Sequence, residues 1–312
     1  FDIEWRVQET IPIVEFPQFQ LALPAACFFL AAWLLRPHRD GALIRALEIS
    51  GIALIALFGF YATAKLFHPG ENVLFAKASF LERGVITNVL FLYGLACLAI
   101  SRIFARPAFF QCGALLTAIA LFRIVYFDLI IKNPAWFGGE VAGALPFDAL
   151  ALTYAVPILW SWLTIREIRM QAATDWFGRY ARGIEGLMLV MVFAWLTLVI
   201  RKLYQGPFLD GSATSDGEFY SYSAAWLGFA LAMLFYGTIK GGQLLRYASL
   251  AVLLLTVSKV FLLDAGNLTG LYRVFSFLGL GLCLLGISYF YGRFVFGGSP
   301  GDDAPAQDAP AP

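Results

Sequence analysis

Apolar runs of about 20 residues, the length that carries an α-helix across a ~30 Å hydrocarbon core, recur from one end of this chain to the other. Hydrocarbon offers no water to a peptide group. A crossing segment must therefore satisfy its own backbone hydrogen bonds, and a run of this length does so as a helix. Nine spans are expected, at 18–36, 42–67, 81–104, 108–131, 147–168, 180–203, 220–240, 243–264 and 270–294. Composition agrees: 60% of residues are apolar and 14% charged, against roughly a quarter charged in a soluble domain. A net charge of +1 excludes a strongly basic nucleic-acid binder and a highly charged disordered chain. The fold class is an all-α polytopic membrane protein. Its immediate partners are membrane lipids, and no nucleic acid is expected.

The ends read differently. The chain begins at Phe1, which is expected of a processed product or a portion of a longer protein. Phe1, Ile3, Trp5 and Val7 alternate with Asp2, Glu4, Arg6 and Gln8, a weak strand-like pattern. Asp2, Glu4, Glu9 and Glu15 precede the first apolar run with only Arg6 to oppose them, which argues against a secretory signal. Residues 297–312 are mostly Pro, Ala, Gly and Asp and are expected to be a disordered tail.

Sidedness follows from Lys and Arg, which accumulate in cytoplasmic loops. One set of short links carries Arg36, Arg39 and Arg45; Arg102 and Arg106; Arg166, Arg169, Arg179 and Arg182; Lys240 and Arg246; then Arg293. The other connections, at 68–80, 132–146 and 204–219, are longer. They and their flanks hold most of the acids: Glu71, Glu82, Glu140, Asp148, Asp210, Asp216 and Glu218. Nine alternating spans satisfy both sets, with the amino terminus outside and the carboxyl terminus in the cytoplasm.

Cys27, Cys97, Cys112 and Cys283 each fall inside an expected span, none at a metal-ligand spacing, and read as small packing residues. His38 and His68 stand alone on opposite faces, so no zinc site can be assembled. The sequence holds no nucleotide-binding, nucleophile-elbow or zinc-protease motif. No metal or cofactor is expected, and any chemistry would rest on carboxylates, Lys and Arg.

Apolar helices align with one another in any register, so only rare polar positions test for a repeat. Arg45, Glu48 and Lys65 match Arg182, Glu185 and Lys202 at one offset. Tyr93-Gly94 matches Tyr236-Gly237, Arg123 and Asp128 match Lys259 and Asp264, and Leu23-Pro24 fits Val156-Pro157. The simplest reading is a four-helix unit repeated in parallel over 42–168 and 180–294. Residues 1–36 then form an outer segment and the last helix of an earlier unit. The alternative is coincidence between two similarly biased compositions.

Several charges sit where lipid is expected. Lys259 lies about 24 Å along its helix at 1.5 Å per residue, in the outer third of the hydrocarbon, with Asp264 beyond it. Arg123 and Asp128 occupy the same depth in the other repeat, and Lys65, Arg83, Arg201, Lys202 and Arg273 approach the outer ends of theirs. A charge at the bilayer centre costs about 2.5–3.5 kcal/mol on insertion scales, so such groups face protein or water and find partners. Arg123 and Asp128 point about 140° apart around one helix, so pairing is expected between helices: Lys259 or Asp264 with Arg273 or Lys202, and Arg123 or Asp128 with Lys65 or Glu82. The functional reading is an outward-open polar pocket in each repeat. Its ligand-binding candidates are Lys65, Arg123, Asp128, Lys202, Lys259, Asp264 and Arg273. The structural reading is interhelical salt bridges with snorkelling. Arg45–Glu48 and Arg182–Glu185, spaced i, i+3, read as local surface pairs.

Two outer connections mix aromatics with acids. Tyr204, Pro207, Phe208, Asp210, Asp216, Glu218, Phe219, Tyr220, Tyr222 and Trp226 fall in one; Trp136-Phe137, Gly138-Gly139, Glu140, Pro146 and Asp148 fall in the other. Such surfaces suit sugars, lipid head groups or acid–base work, and equally the aromatic belt of any membrane protein. Gly237 and Gly241 form one GxxxG, a weak packing signal.

The stretch from Leu244 through Arg246, Lys259 and Asp264 to Leu268, Arg273, Ser276 and Gly279 resembles the carboxyl-terminal part of a bacterial family of predicted membrane proteins, domain of unknown function 2339. The resemblance implies a large inner-membrane protein of many spans, of which this chain would be the carboxyl-terminal third. It implies no activity. Three functions compete. The first is binding or transport of an anionic envelope ligand or lipid by the intramembrane cations. The second is a membrane enzyme on lipid-linked sugars using Asp148, Asp216 or Glu218 as catalytic base, by fold-level analogy. The third is a scaffold whose outer loops dock an envelope protein partner.

Overall fold

A computed structural model describes residues 18–36, 41–68, 77–171, 175–210, 213–261 and 271–292. Phe1–Gln8, the 297–312 tail, His38, Asp264 and the side chain of Arg273 lie outside the described residues. The regular elements among those described are all helical. They are α1 (Leu23–Leu35), α2 (Ala42–Phe67), α3 (Phe80–Phe104), α4 (Pro107–Arg123), the short α5 (Pro134–Phe137), α6 (Val156–Gln171), α7 (Asp175–Gln205), α8 (Asp216–Ile239), α9 (Gln243–Lys259) and α10 (Leu271–Phe290). A helix lies over each expected span. Among the described residues five stretches are long and apolar enough to cross a membrane: α2, α3, Pro107–Phe137, Trp176–Gln205 and α8. By the same measure α1 and α9 are short, and α6 ends on Arg166, Glu167 and Arg169.

Local chemistry sets the boundaries. Ser79 starts α3 with a capping box: its hydroxyl accepts from the Glu82 N–H at 3.1 Å, and the Glu82 carboxylate accepts from the Ser79 N–H at 3.3 Å. Ser215 likewise accepts from the Glu218 N–H at 3.3 Å and opens α8. Five-residue π-helical stretches, Gln18–Ala22 and Ala151–Ala155, come immediately before Leu23-Pro24 and Val156-Pro157. A proline donates no N–H and crowds the carbonyl four residues back, and a widened turn relieves both. Wider turns also follow Arg123, over Ile124–Ile131, and Lys259, over Val260 and Phe261.

The chain divides into two compact units, one ending at Ala213 and the other beginning at Thr214. In the first, α3 is central, packing on α2, α4, α6 and the π stretch before α6, while α1 packs on α2 and α6 on α7. Phe91, Leu98, Ile124, Leu150, Tyr154 and Met191 are fully buried there. α3 and α4 approach each other glycine on glycine. A Cβ on Gly94 of α3 would stand 2.6 Å from Thr117 Cγ2, and one on Gly113 of α4 would stand 2.8 Å from the Gly94 carbonyl oxygen. Lipid tails are as apolar as Leu, so helices in a membrane associate by such close backbone packing rather than by escape from water. In the second unit α8 packs on α9, closest at Gly237, and Ser249 and Tyr291 hydroxyls lie 2.8 Å apart. Leu66, Ile103, Phe122 and Leu203 in the first unit and Phe235 in the second are exposed, the surface a bilayer covers.

Gly94→Leu or Gly113→Leu overpacks this contact and is expected to cost about 1–3 kcal/mol, read as a lower unfolding temperature of the detergent-purified chain. Gly186→Ala, where a Cβ meets nothing within 4 Å, is expected to leave it unchanged or raised.

Candidate functional site

The first unit sorts its charges to the two ends of its helices. At one end Arg36 pairs with Glu48 at 3.0 Å, with Arg106 on the same carboxylate at 3.7 Å. Arg102 pairs with Glu167 at 2.9 Å, and Arg169 pairs with Glu185. These links run between elements, which corrects the expected local pairs: Glu48 is held by Arg36 and Arg106 rather than Arg45, and Glu185 by Arg169 rather than Arg182. The physical reason is depth. Glu48 is 2% exposed, facing inward where α1 and the start of α4 deliver guanidinium groups.

At the other end, which the sequence assigns to the outside, three contacts stand in a row of neighbouring elements. His68 Nε2 lies 2.9 Å from Glu82. Arg83 Nε donates to Asp128 Oδ1 at 2.9 Å, and its Nη2 donates to the Lys132 carbonyl at 3.0 Å, capping the frayed end of the π stretch. Asp128 is fully buried, and Tyr154 Oη donates to its backbone carbonyl at 2.8 Å. The expected partner of Asp128 was Lys65 or Glu82; the structure gives Arg83. A depth count would have found it, because the first turn of α3 meets the last turn of the α4 extension when two helices run antiparallel. Asn88, buried beside them, donates to the Leu152 carbonyl and accepts from Trp160 Nε1, both at 2.8 Å, pinning α3 to α6. Neither Arg83 nor Asn88 stood among the ligand candidates.

Lys202 and Asp148 form the third contact. Lys202 Nζ donates to Asp148 Oδ2 at 2.8 Å and to the carbonyls of Gly143 at 2.8 Å and Val141 at 3.1 Å. Asp148 Oδ1 accepts from the Ala151 N–H at 2.9 Å. All three protons of the ammonium and both carboxylate oxygens are thus engaged. Gly143 turns its carbonyl to Lys202 at φ 90°, a region that favours glycine. Val141 N–H donates to the Pro207 carbonyl, and Arg201 to the Leu209 carbonyl, so the end of α7 fastens the 132–146 and 204–219 connections.

Arg123 is different. It is the last α-helical residue before the π stretch, half-buried, and it reaches Thr87 Oγ1 from Nε at 3.5 Å, with its guanidinium 5.9 Å from the Phe127 ring centre. Among the described residues no carboxylate lies within the 4.0 Å of an ion pair. Arg83 has taken Asp128. Arg123 also lines a groove of about 470 Å³ between α2, α3 and α4. Lys65 is half-buried near the end of α2.

In the second unit Lys259 is buried, donating to Ser223 Oγ at 2.7 Å and the Phe219 carbonyl at 2.9 Å, its ammonium 3.8 Å from the Phe219 ring centre. Glu218 is 1% exposed and accepts from Tyr222 Oη at 2.7 Å; Asp216 is exposed in the first turn of α8. Arg123 and Thr87, like Lys259 and Ser223, are 36 residues apart. Among the described residues no cluster of His, Cys, Asp and Glu could hold a metal ion.

Removing one partner of a buried pair strands the other charge, at about 3–5 kcal/mol. Lys202→Met is therefore expected to destabilise the purified chain strongly and to open the 138–150 connection to protease, whereas Asp148→Asn with Lys202→Met together should cost less than Lys202→Met alone.

No curated protein and no solved structure is detectably similar to the chain. The model of one family matches residues 3–294, far beyond the carboxyl-terminal stretch that carried the resemblance. The chain belongs to that family, described as predicted membrane protein, domain of unknown function 2339, and its apolar helices and paired interior charges are those of a membrane protein.

Proposed function

We propose that the chain serves outward-facing binding or transport of an anionic envelope ligand or lipid in a bacterial inner membrane, with its amino terminus outside and its carboxyl terminus in the cytoplasm. One observation carries the reading. Arg123 stands about 24 Å along α4, at hydrocarbon depth, with no carboxylate partner among the described residues, while its neighbours Arg83 and Lys202 each hold one. A cation at that depth needs an anion or water, and among the described residues no carboxylate lies within ion-pair distance of it.

A parallel repeat supports the reading. Ser79, Glu82, Thr87 and Arg123 correspond at one offset to Ser215, Glu218, Ser223 and Lys259, and each group makes the same contacts: a serine cap with glutamate in the first turn, then a basic residue reaching a hydroxyl. This register differs from the one that pairs Tyr93-Gly94 with Tyr236-Gly237. The π stretches before Pro24 and Pro157 fit the same scheme. Nine spans, two four-helix units and a preceding helix accommodate all of these. In it Lys65, Lys202 and Lys259 shape the outer ends and Arg123 meets the ligand; Asp264 and the Arg273 side chain stay candidates outside the described residues. Of the alternative bases, Asp148 is occupied by Lys202 and Glu218 is buried against Tyr222, while Asp216 is exposed in the first turn of α8.

The test uses the purified full chain and phosphatidylglycerol as probe. A ligand at about 100 times its Kd stabilises by about 2.7 kcal/mol, so phosphatidylglycerol is expected to raise the unfolding temperature by several degrees over phosphatidylcholine. Arg123→Gln should abolish that increment and Arg123→Lys should keep part of it. An unchanged increment in Arg123→Gln overturns the proposal.

A further inference from the structure

The groove that Arg123 lines has a shape of its own. Its wall on α2 runs from Ile49 to Phe60, about 16 Å at 1.5 Å per residue, close to half of a ~30 Å hydrocarbon core. Its wall on α4 runs from Cys112 to Arg123. Both helices start at the end where Glu48 meets Arg106, so Arg123 closes the far end of the groove. Among the described residues Arg123 is its one charged lining residue; the others are aliphatic or aromatic apart from the Cys112 thiol. Ala53, Leu57, Leu115 and Ile119 are exposed along the rim, so the trough opens along its side, with Arg123 at its end.

Three classes of occupant can be compared by what each leaves unsatisfied. Water would wet a wall with almost no polar group to hold it. A small soluble anion would meet Arg123 and leave the apolar trough empty. A second hydrophobic helix would fill the trough and bury Arg123 without a counter-charge. A hydrocarbon chain with an anionic head satisfies both parts at once, burying one leaflet's length of chain while its charge meets the guanidinium. Arg123 also offers several N–H donors in a fork that suits phosphate oxygens.

We infer that the α2–α4 groove binds one acyl chain of an acidic phospholipid, with the head-group phosphate on Arg123. The inference rests on the reading that Arg123 holds an anion, and it adds that recognition requires the chain as well as the charge. Selectivity among acidic head groups is then weak, and selectivity for an attached acyl chain strong.

Native mass spectrometry of the detergent-purified full chain separates the two layers. The probes are phosphatidylglycerol, phosphatidylcholine of matched chains, and soluble glycerol 3-phosphate. The wild type is expected to retain one phosphatidylglycerol with at least tenfold preference over phosphatidylcholine, and glycerol 3-phosphate should not displace it. Ala53→Trp fills the trough from the exposed rim of α2, and Leu115→Trp does so from α4, so a folding defect in one leaves the other. Each should weaken phosphatidylglycerol retention at least tenfold. Retention unchanged in both tryptophan variants but lost in Arg123→Gln, or displacement by glycerol 3-phosphate, overturns the acyl-chain inference and leaves anion binding standing. Retention unchanged in Arg123→Gln overturns both.

Discussion

Charge in hydrocarbon must be matched, and that constraint organises the first unit of this protein. Its helices carry enough apolar surface to enter a membrane, but apolar surface alone does not choose between arrangements of near-equal greasiness. The buried ion pairs do. Arg83 with Asp128 fixes α3 against the far end of α4; Lys202 with Asp148 fixes α7 against the connection that enters α6; Glu48 with two arginines fixes α1, α2 and α4 at the other end. A misregistered helix would strand one of these charges, at a cost of several kcal/mol. The pairs therefore act as register devices, while Gly94 and Gly113 set how closely α3 and α4 approach.

Against that background Arg123 stands out chemically. It lies five residues before Asp128, whose carboxylate is committed to Arg83. Across the π-helical widening that begins at Ile124, Asp128 meets Arg83 and Arg123 meets Thr87, both on α3, and Arg123 also lines the groove shared with α2. Wide turns of this kind often mark sites of function, because they cost regular hydrogen bonding that a purely structural helix would keep. Lys259 sits at the same kind of junction in the second unit, with a serine where Arg123 has a threonine.

Much of the helical frame was legible from apolar run length, since lipid permits few alternatives to a helix. The caps at Ser79 and Ser215 and the widened turns before Pro24 and Pro157 went unread: α8 begins at Asp216 rather than at 220, and the two prolines served only as a repeat match. The alternation of basic and acidic connections anticipated that charges would gather at helix ends. Their pairings were not legible, because they depend on which faces meet: Asp128 found Arg83 rather than Lys65 or Glu82, and Glu48 found Arg36 rather than its own neighbour Arg45. Sequence spacing reports angle along one helix and nothing of the helix beside it. The groove was invisible for the same reason. Its residues come from three helices, and each reads alone as ordinary apolar surface.

Access to position 123 tests most directly whether this side chain opens outward from the bilayer interior. Place Arg123→Cys in the full chain with Cys27, Cys97, Cys112 and Cys283 replaced by alanine, and offer a charged, membrane-impermeant methanethiosulfonate from each face in turn. Modification from the periplasmic face, slowed by added phosphatidylglycerol, is the predicted result. Modification from the cytoplasmic face alone would contradict it.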